Sequence, residues 1–214
     1  MEKRTIDLLN RQTTLPGYHR ATPKVEILPR EPKPAWLKSK LPTDRNYFEL
    51  KKIMRDKGLH TVCEEANCPN ISECWSNRTA TFLILGEICT RACGYCDVTS
   101  GKPLPLDEDE PRKVAEAVKA MGLQHVVITS VNRDDLPDGG SHIFKAMVEK
   151  IREEMPGCRI ELLIPDFCGD WDSLAEVMSA RPEILNYNTE TVPSLYRRVR
   201  HKARYDRTLE LLRR

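Results

Sequence analysis

From residue 81 onward, apolar strand-like runs alternate with amphipathic helical segments, and this alternation limits the possible folds more than any other feature. The predicted strands are TFLILGEI (81–88), HVVITSV (125–131), RIELLIP (159–165) and EILNYNTE (183–190). The predicted helices cover about residues 111–121, 141–155, 171–180, 193–199 and 205–214. Continuous apolar strands separated by helices are typical of a parallel sheet covered by helices. The sequence therefore predicts an α/β fold, a partial parallel (β/α) barrel.

The number of strand–helix units limits how far this barrel extends. Four units are too few to close an eight-stranded barrel. The last predicted helix runs to LELLRR without a turn signal. We therefore expect an incomplete barrel or a piece of a longer chain, with an unpaired strand edge that promotes aggregation.

The chain before the barrel has a different composition. Residues 16–42 contain six prolines, and proline lacks the backbone N–H that helices and central strands need. An extended arm is therefore predicted for residues 1–45. Residues 46–80 are predicted to hold a short helix, NYFELKKIMRDKG, which ends at Gly58, and then an irregular, cysteine-rich loop over 59–78. The barrel is assigned to 81–214.

Charge is distributed unevenly along the chain. Residues 1–62 carry a net charge of +7, residues 63–196 carry −11 and residues 197–214 carry +6. Basic segments favour acidic partners, but nucleic-acid binding lacks supporting aromatic residues or a fold signature, so we expect no nucleic-acid partner. No apolar run approaches the roughly 20 residues that span a bilayer, and no signal peptide is recognisable. We therefore expect a cytoplasmic protein that has no membrane partner.

Six of the eight cysteines lie within residues 63–96 as two triplets. Cys89, Cys93 and Cys96 follow the first strand with C-x3-C-x2-C spacing. Cysteines of a cytoplasmic protein stay reduced, which favours metal binding or catalysis. Structural zinc is almost always closed by four ligands, whereas thiolates also hold iron–sulfur clusters. A cubane held by three cysteines keeps one iron without a protein ligand, where a substrate or cofactor can bind.

The second triplet, Cys63, Cys68 and Cys74, has C-x4-C-x5-C spacing. These separations do not place all three on one helix face, so a second cluster is the preferred interpretation. Two structural zinc sites in an adaptor module remain the alternative. Cys158 and Cys168 stand apart and are interpreted as small core or loop residues.

Polar residues follow each predicted strand: the thiols after the first, NRDDLPDGG after the second, PDFCGD after the third and NTE at the fourth. In barrels of this type the chemistry takes place at the carboxyl ends of the strands. The four strand ends therefore indicate one active face.

The C-x3-C-x2-C spacing after an apolar strand, with an aromatic residue before the last cysteine, resembles the radical S-adenosylmethionine superfamily. The resemblance implies a 4Fe-4S cluster whose open iron binds S-adenosylmethionine. It also suggests that residues at the later strand ends contact this cofactor, and the candidates are Thr129, Ser130, Asn132, Asp166, Asn188 and Glu190. Two other interpretations stay open, because Asn188 and Glu190 would also suit a helix cap and Asp166 would suit a turn.

CEEANCPNISECW followed by LGEICTRACGYCDV resembles the lipoyl synthase family. The likeness extends through TSVNRDDLPDGG, ELLIPDF, YNTETVPSLYRRVR and YDRTLELL. It implies that two sulfur atoms are inserted at C6 and C8 of a protein-bound octanoyl group. Cys89, Cys93 and Cys96, the first triplet, would hold the radical cluster. Cys63, Cys68 and Cys74 would hold an auxiliary 4Fe-4S cluster that donates the sulfur.

The family resemblance also implies partners. The substrates would be octanoylated lipoyl carrier domains, namely 2-oxoacid dehydrogenase E2 subunits and the glycine cleavage H protein. An electron donor such as flavodoxin or ferredoxin would reduce the cluster. In the family a serine of an Arg-Ser-Ser-Tyr motif is the fourth auxiliary-cluster ligand, and the 214 residues do not contain this motif. A truncated, inactive fragment of the family is therefore an alternative.

The two triplets generate a prediction about metal content. Protein purified without oxygen should be brown and contain iron and acid-labile sulfide, because three-thiolate sites suit iron–sulfur clusters better than zinc. Elemental analysis and the visible spectrum measure this. Colourless protein loaded with zinc would support the adaptor module instead.

Overall fold

The computed structural model describes Pro34 and residues 41–65, 68–77 and 79–214. The chain divides into two units, Met1–Lys38 and Ser39–Arg214. The proline-rich arm predicted for residues 1–45 thus lies almost entirely outside the described residues.

The described part of the second unit is built on one open five-stranded sheet with strands in sequence order. Strands β2 to β5 are parallel, and β1 pairs antiparallel with β2. This arrangement confirms the predicted partial parallel barrel. The strands are β1 (His60–Thr61), β2 (Thr81–Ile84), β3 (His125–Ser130), β4 (Arg159–Leu163) and β5 (Ile184–Asn186).

Helices follow the parallel strands in the predicted alternation. The helices are α1 (Arg45–Lys57), α2 (Val62–Glu65), α3 (Ile71–Ser76), α4 (Glu110–Met121), α5 (Ser141–Glu154), α6 (Trp171–Ser179), α7 (Tyr196–Val199) and α8 (Tyr205–Arg213). The predicted helix over 193–199 is instead a 3-10 turn at Pro193–Leu195 followed by α7. Within the described ranges, no helix is long and apolar enough to cross a bilayer.

Helix α1 begins and ends at residues that favour those positions. The Asp44 carboxylate accepts a hydrogen bond from the Asn46 N–H at 2.7 Å, which satisfies one free donor of the first turn. Gly58 follows the helix with φ of 61°, a left-handed conformation that glycine adopts at low cost. The predicted end at Gly58 is therefore confirmed.

The prediction that residues 59–78 form an irregular loop is wrong. This segment contains β1, α2 and α3. Trp75 of α3 is fully buried, and its ring centroid lies 5.2 Å from the ring centroid of Tyr47. Packing against the core therefore stabilises a helix too short to form alone.

Alternate strand residues point to opposite sides of the sheet. Val126 and Ile128 of β3, and Ile160 and Leu162 of β4, are fully buried. Continuous burial on this face is expected where helices cover a parallel sheet. The residues between them form the opposite face.

The exit of β2 into the first cysteine loop is held by buried polar contacts. Leu85 has φ of 69° and Gly86 has φ of 94°, so the chain turns sharply here. The Leu85 N–H donates to the carboxylate of buried Glu110 at 2.9 Å, and Arg133 donates to the Leu85 carbonyl at 3.1 Å. Burial raises the pKa of Glu110 above its usual value. This turn ends β2 earlier than the apolar run predicts.

The same turn makes Gly140 intolerant of a side chain. Gly140 has φ of +89°, and a Cβ there would lie 2.6 Å from Leu85 Cδ1. Gly140→Ala should lower the free energy of unfolding by about 1–3 kcal/mol, through left-handed strain and overpacking. Urea denaturation measures this.

Gly157→Ala is the matched control, because a Cβ at Gly157 meets nothing within 4 Å. Its effect should stay within about 0.5 kcal/mol. Equal effects of the two substitutions would contradict the proposed role of the turn.

Candidate functional site

A cavity of about 160 Å³ opens at the carboxyl ends of the parallel strands. Three register neighbours, Leu83 on β2, Thr129 on β3 and Leu163 on β4, lie on its wall. We call it the thiol cavity, because the side chains of one complete cysteine triplet also line it: Cys89, Cys93 and Cys96. The structure thus brings the first triplet to the strand ends, as the sequence predicts.

Most of the predicted cofactor-contacting residues line the same cavity. They come from the ends of β3 and β5, and they are Thr129, Ser130, Asn132, Asn188 and Glu190. Thr129 is buried and donates to the Leu163 carbonyl at 2.9 Å. Asn188 and Glu190 are exposed.

Backbone hydrogen bonds hold the first cysteine loop against neighbouring segments. Thr90 donates its N–H to the Asn132 carbonyl at 3.0 Å, and Gly94 donates to the Val199 carbonyl at 2.9 Å. The Sγ of buried Cys89 accepts hydrogen bonds from the N–H groups of Arg91 at 3.4 Å and Asn132 at 3.3 Å. Hydrogen bonds to sulfur tune cluster ligands, so this environment suits a thiolate that binds iron.

The thiols of the first triplet are close enough to influence one another. Burial raises the pKa of the Cys96 thiol, and the neighbouring Cys89 and Cys93 raise it further. Thiolates that repel each other in this way are stabilised when a cation binds them. The donor set therefore fits a metal cluster.

The second triplet lies on the short elements that precede β2. Cys63 is on α2, Cys74 is on α3, and Cys68 lies between them and donates its N–H to the Cys63 carbonyl at 3.0 Å. Burial raises the pKa of the Cys63 thiol, and Cys68 and Cys74 raise it further. These thiols thus also form a group, but none of the three is on the wall of the thiol cavity.

The described residues contain no group of three or more His, Cys, Asp or Glu side chains arranged so that it could hold a metal ion. Each triplet has the residue type that binds an iron–sulfur cluster. In the described structure, however, its three side chains are not arranged around a common metal position. The ligand assignments for the six cysteines therefore stay predictions.

Three buried polar atoms on the cavity wall have no hydrogen-bond partner in the part of the chain that the structure describes. They are Ser130 Oγ, Asn132 Oδ1 and Arg200 Nε. Buried polar groups are nearly always paired in folded proteins. A polar ligand such as S-adenosylmethionine, which carries hydroxyl, amine and carboxylate groups, would satisfy them, so the wall fits this cofactor.

Asp166 differs from the other predicted contacts because it does not line the thiol cavity. Its carboxylate is fully buried and pairs with Arg91 at 2.7 Å and Arg207 at 2.8 Å. It also accepts the Cys168 N–H at 3.2 Å, as expected for the turn that was its alternative role. These contacts make the Asp166 carboxylate part of a buried ion-pair network beside the cavity wall.

Arg91 is the centre of a set of ion pairs, which we call the Arg91 network. Its guanidinium binds Asp134 through Nε at 2.9 Å and NH2 at 2.8 Å, and it also binds Asp166. Arg207 and Lys202 complete the network. Burial alone would raise the pKa of Asp134, but the hydrogen bonds from Arg91 bring it below its usual value.

Sequence reasoning missed Arg91, Arg200, Arg207 and Tyr187. No spacing signal could have found the Arg91 pairs, because Asp134 and Asp166 are 43 and 75 residues away in the chain. Arg133 pairs with the nearby Asp135 at 2.9 Å, whereas Asp134 pairs with the distant Arg91.

Three thiols at the end of the first parallel strand, beside a cavity with unsatisfied polar groups, are the arrangement expected of an α/β protein that carries a cysteine-ligated cluster. The chain belongs to the radical SAM superfamily, whose family model matches residues 83–214. A second family model, the N-terminal domain of lipoyl synthase of the radical SAM family, matches residues 10–68. Membership confirms the predicted cofactors, 4Fe-4S clusters and S-adenosylmethionine.

Similar curated proteins carry the name lipoyl synthase. The chain is 58% identical to the protein of Koribacter versatilis over 193 residues, covering 89% of this chain and 64% of that protein. It is 55% identical to the protein of Chloroflexus aurantiacus over 192 residues, covering 90% of this chain and 63% of that protein. The chain therefore spans less than two thirds of the length of these relatives. Among solved structures, methylornithine synthase matches with a TM-score of 0.48 and 17% identity, covering 81% of this chain and 52% of that chain.

Removal of one buried charge from the Arg91 network should strongly reduce the stability of the fold. Asp166→Asn should lower the free energy of unfolding by about 3 kcal/mol or more, because it leaves two guanidinium groups without their buried carboxylate. Chemical denaturation measures the loss.

Asp206→Asn is the matched control. Asp206 forms an ion pair with Arg204, and its side chain is 69% exposed. Exposed pairs contribute about 0–1 kcal/mol. A loss at Asp166 no larger than the loss at Asp206 would show that the network is not a major source of stability.

Proposed function

We propose that the chain is the catalytic core of a lipoyl synthase. It inserts two sulfur atoms at C6 and C8 of a protein-bound octanoyl group, which yields the lipoyl cofactor. The single observation that carries the proposal is the convergence of Cys89, Cys93 and Cys96 on one cavity at the strand ends. The 58% identity to a protein named lipoyl synthase supports this choice within the superfamily.

The residues of the thiol cavity have distinct roles in this proposal. When bound, the cluster and S-adenosylmethionine supply the radical that removes hydrogen from an unactivated carbon. Cys89, Cys93 and Cys96 hold the cluster, and the Arg91 and Asn132 N–H groups orient the Cys89 sulfur.

The rest of the wall binds the cofactor and excludes water. Ser130 and Asn132 offer unpaired polar atoms for the cofactor, and Asn188 and Glu190 bind it at the exposed rim. Leu83 and other apolar wall residues exclude water from the reaction.

The second triplet provides the sulfur in this proposal. Cys63, Cys68 and Cys74 hold an auxiliary 4Fe-4S cluster that is consumed during the reaction. The register of β1 with β2 pairs Thr61 with Phe82, so the second triplet begins near the amino end of β2, while the first triplet follows its carboxyl end. The support for this role is the family membership and not the position of the second triplet.

The substrates in this proposal are octanoylated lipoyl carrier domains, those of 2-oxoacid dehydrogenase E2 subunits and the glycine cleavage H protein. A flavodoxin or ferredoxin would supply electrons. Arg197 and Arg198 on α7 are exposed, and α7 contacts the first cysteine loop through Val199 and Gly94. These basic side chains near the cavity would attract an acidic carrier. The cytoplasmic location stays a prediction.

The decisive experiment uses anaerobically reconstituted protein, a reductant, S-adenosylmethionine and an octanoylated peptide, analysed by mass spectrometry. We expect 5′-deoxyadenosine together with a peptide that has gained two sulfur atoms. Cys93→Ala should lower 5′-deoxyadenosine formation by at least about 100-fold, because it removes a cluster ligand. Cys68→Ala should retain 5′-deoxyadenosine formation and lose sulfur transfer.

Cys158→Ala is the matched control, since this buried cysteine lies outside both triplets, and it should retain both products. If iron-loaded wild-type protein formed no 5′-deoxyadenosine, the radical function would be wrong. Formation of 5′-deoxyadenosine without sulfur gain would support the alternative of an inactive fragment.

A further inference from the structure

The turn and helix that follow β5 lie beside the rim of the thiol cavity. The chain lines this cavity at Glu190, leaves it, and returns to it at Arg200. The 3-10 turn Pro193–Leu195 and α7 lie between these two points. A partner that binds to the turn and to α7 is therefore held next to the cavity.

This part of the chain exposes apolar and basic side chains together. Val192 is 57% exposed and Leu195 is 37% exposed, and Arg197 and Arg198 are also exposed. We call these four side chains the rim surface. Protein-binding surfaces typically combine an apolar centre with polar surroundings and are enriched in arginine. The composition of the rim surface therefore suits a protein partner.

The charge of the rim surface has one sign. Residues 191–204 contain four arginines and one lysine but no Asp or Glu. On one side of this segment, Glu190 lines the thiol cavity. On the other side, Asp206 pairs with Arg204. The flanking carboxylates thus have other positions and contacts.

The two arginines of the rim surface also differ from exposed arginines elsewhere in the fold. Arg112 pairs with Asp109 on the surface of α4. Within the described ranges, Arg197 and Arg198 have no carboxylate partner. Their charge is therefore available to attract acidic residues of another protein.

Internal contacts hold the rim surface in place. The Tyr196 hydroxyl donates to the Thr189 carbonyl at 2.9 Å, and the Tyr196 ring packs edge-on against Tyr205 with 5.8 Å between the ring centroids. The Gly94 N–H donates to the Val199 carbonyl at 2.9 Å, which attaches α7 to the first cysteine loop. A surface that is ordered before binding loses less conformational entropy when a partner docks.

A substrate that is covalently attached to a protein restricts where that protein can bind. The octanoyl group enters the cavity only as far as its lysine side chain extends, so the carrier domain must dock beside the rim. The rim surface has this position, and its positive charge complements acidic residues.

Under the proposed function, on which this step rests, we propose that the rim surface is the docking site of the carrier domain and binds acidic residues next to its octanoyl-lysine. Val192 and Leu195 form the apolar centre of the contact. Arg197 and Arg198 form its basic edge and pair with the carboxylates of the carrier.

The test measures binding of fluorescently labelled, octanoylated glycine cleavage H protein to the anaerobically reconstituted chain by fluorescence anisotropy. Arg197→Glu combined with Arg198→Glu should raise the Kd by about 10-fold or more, because repulsion replaces attraction. Leu195→Ser should raise the Kd by about 5- to 10-fold, because it removes an apolar contact.

Salt separates the two contributions. Raising the salt concentration from about 50 mM to about 500 mM should weaken the binding of wild type and of Leu195→Ser, because it screens the charge attraction. The same change should not weaken binding of the double arginine variant.

Two controls test whether the effect is local. Lys52→Glu combined with Arg55→Glu makes the same charge change at exposed positions of α1, which contributes no residue to the cavity wall, and this variant should bind as wild type does. An H protein in which lysine replaces an acidic residue next to the octanoyl-lysine should recover tight binding to the double arginine variant. Circular dichroism and iron content establish that each variant is folded and loaded.

The other outcomes overturn the docking site. Unchanged binding by the double arginine variant, equal weakening by the α1 variant, or no recovery with the altered H protein would each do so. If the double arginine variant bound H protein as wild type does but lost 5′-deoxyadenosine formation driven by flavodoxin, the rim surface would bind the electron donor instead.

The proposed function is judged by a separate measurement. Iron-loaded wild type is given dithionite, S-adenosylmethionine and an octanoylated peptide, which needs no docking surface. If it forms 5′-deoxyadenosine but does not bind H protein, the docking site is wrong and the radical function stands. If it forms no 5′-deoxyadenosine, the proposed function itself is wrong.

Discussion

The buried guanidinium of Arg91 joins three segments that are far apart in the chain. It belongs to the first cysteine loop, while its partners Asp134 and Asp166 follow β3 and β4. Arg207 of α8 binds the same Asp166 carboxylate, so the last helix is tied to the same point. Since Arg91 lies two residues after Cys89 and donates its N–H to the Cys89 sulfur, these ion pairs also set the position of the first thiol. The position of the thiol cavity therefore depends on a network of charges whose centre, the pair of Arg91 and Asp166, is buried.

The same region contains polar groups of two kinds. Around Arg91 each buried charge has an opposite charge, and such pairs contribute rigidity when every member is satisfied. On the cavity wall, Ser130, Asn132 and Arg200 keep buried atoms without partners in the described structure. A fold that satisfies one set and not the adjacent one concentrates its unmet hydrogen-bonding capacity where a ligand would sit. Local departures from complete pairing are expected at functional sites.

Sequence patterns predicted the long elements well and the short ones poorly. The alternation after residue 81 predicted four parallel strands and their helices, because a buried strand and an amphipathic helix each have a distinct periodicity. The segment before β2 was wrongly predicted to be irregular, since α3 depends on burying Trp75. The end of β2 was also placed too late, because the left-handed turn at Leu85 is held by Glu110 from a distant helix.

The sequence by itself determined the two cysteine triplets, their positions before and after the first parallel strand, and the order of strands and helices. These features depend on short-range spacing and on local periodicity, which are present in the linear chain. Only the tertiary structure decided that Asp166 supports Arg91 and Arg207, and that Arg200 lies on the wall of the thiol cavity. Whether a charged side chain is paired or unpaired depends on what packs around it, and its neighbours come from distant parts of the chain.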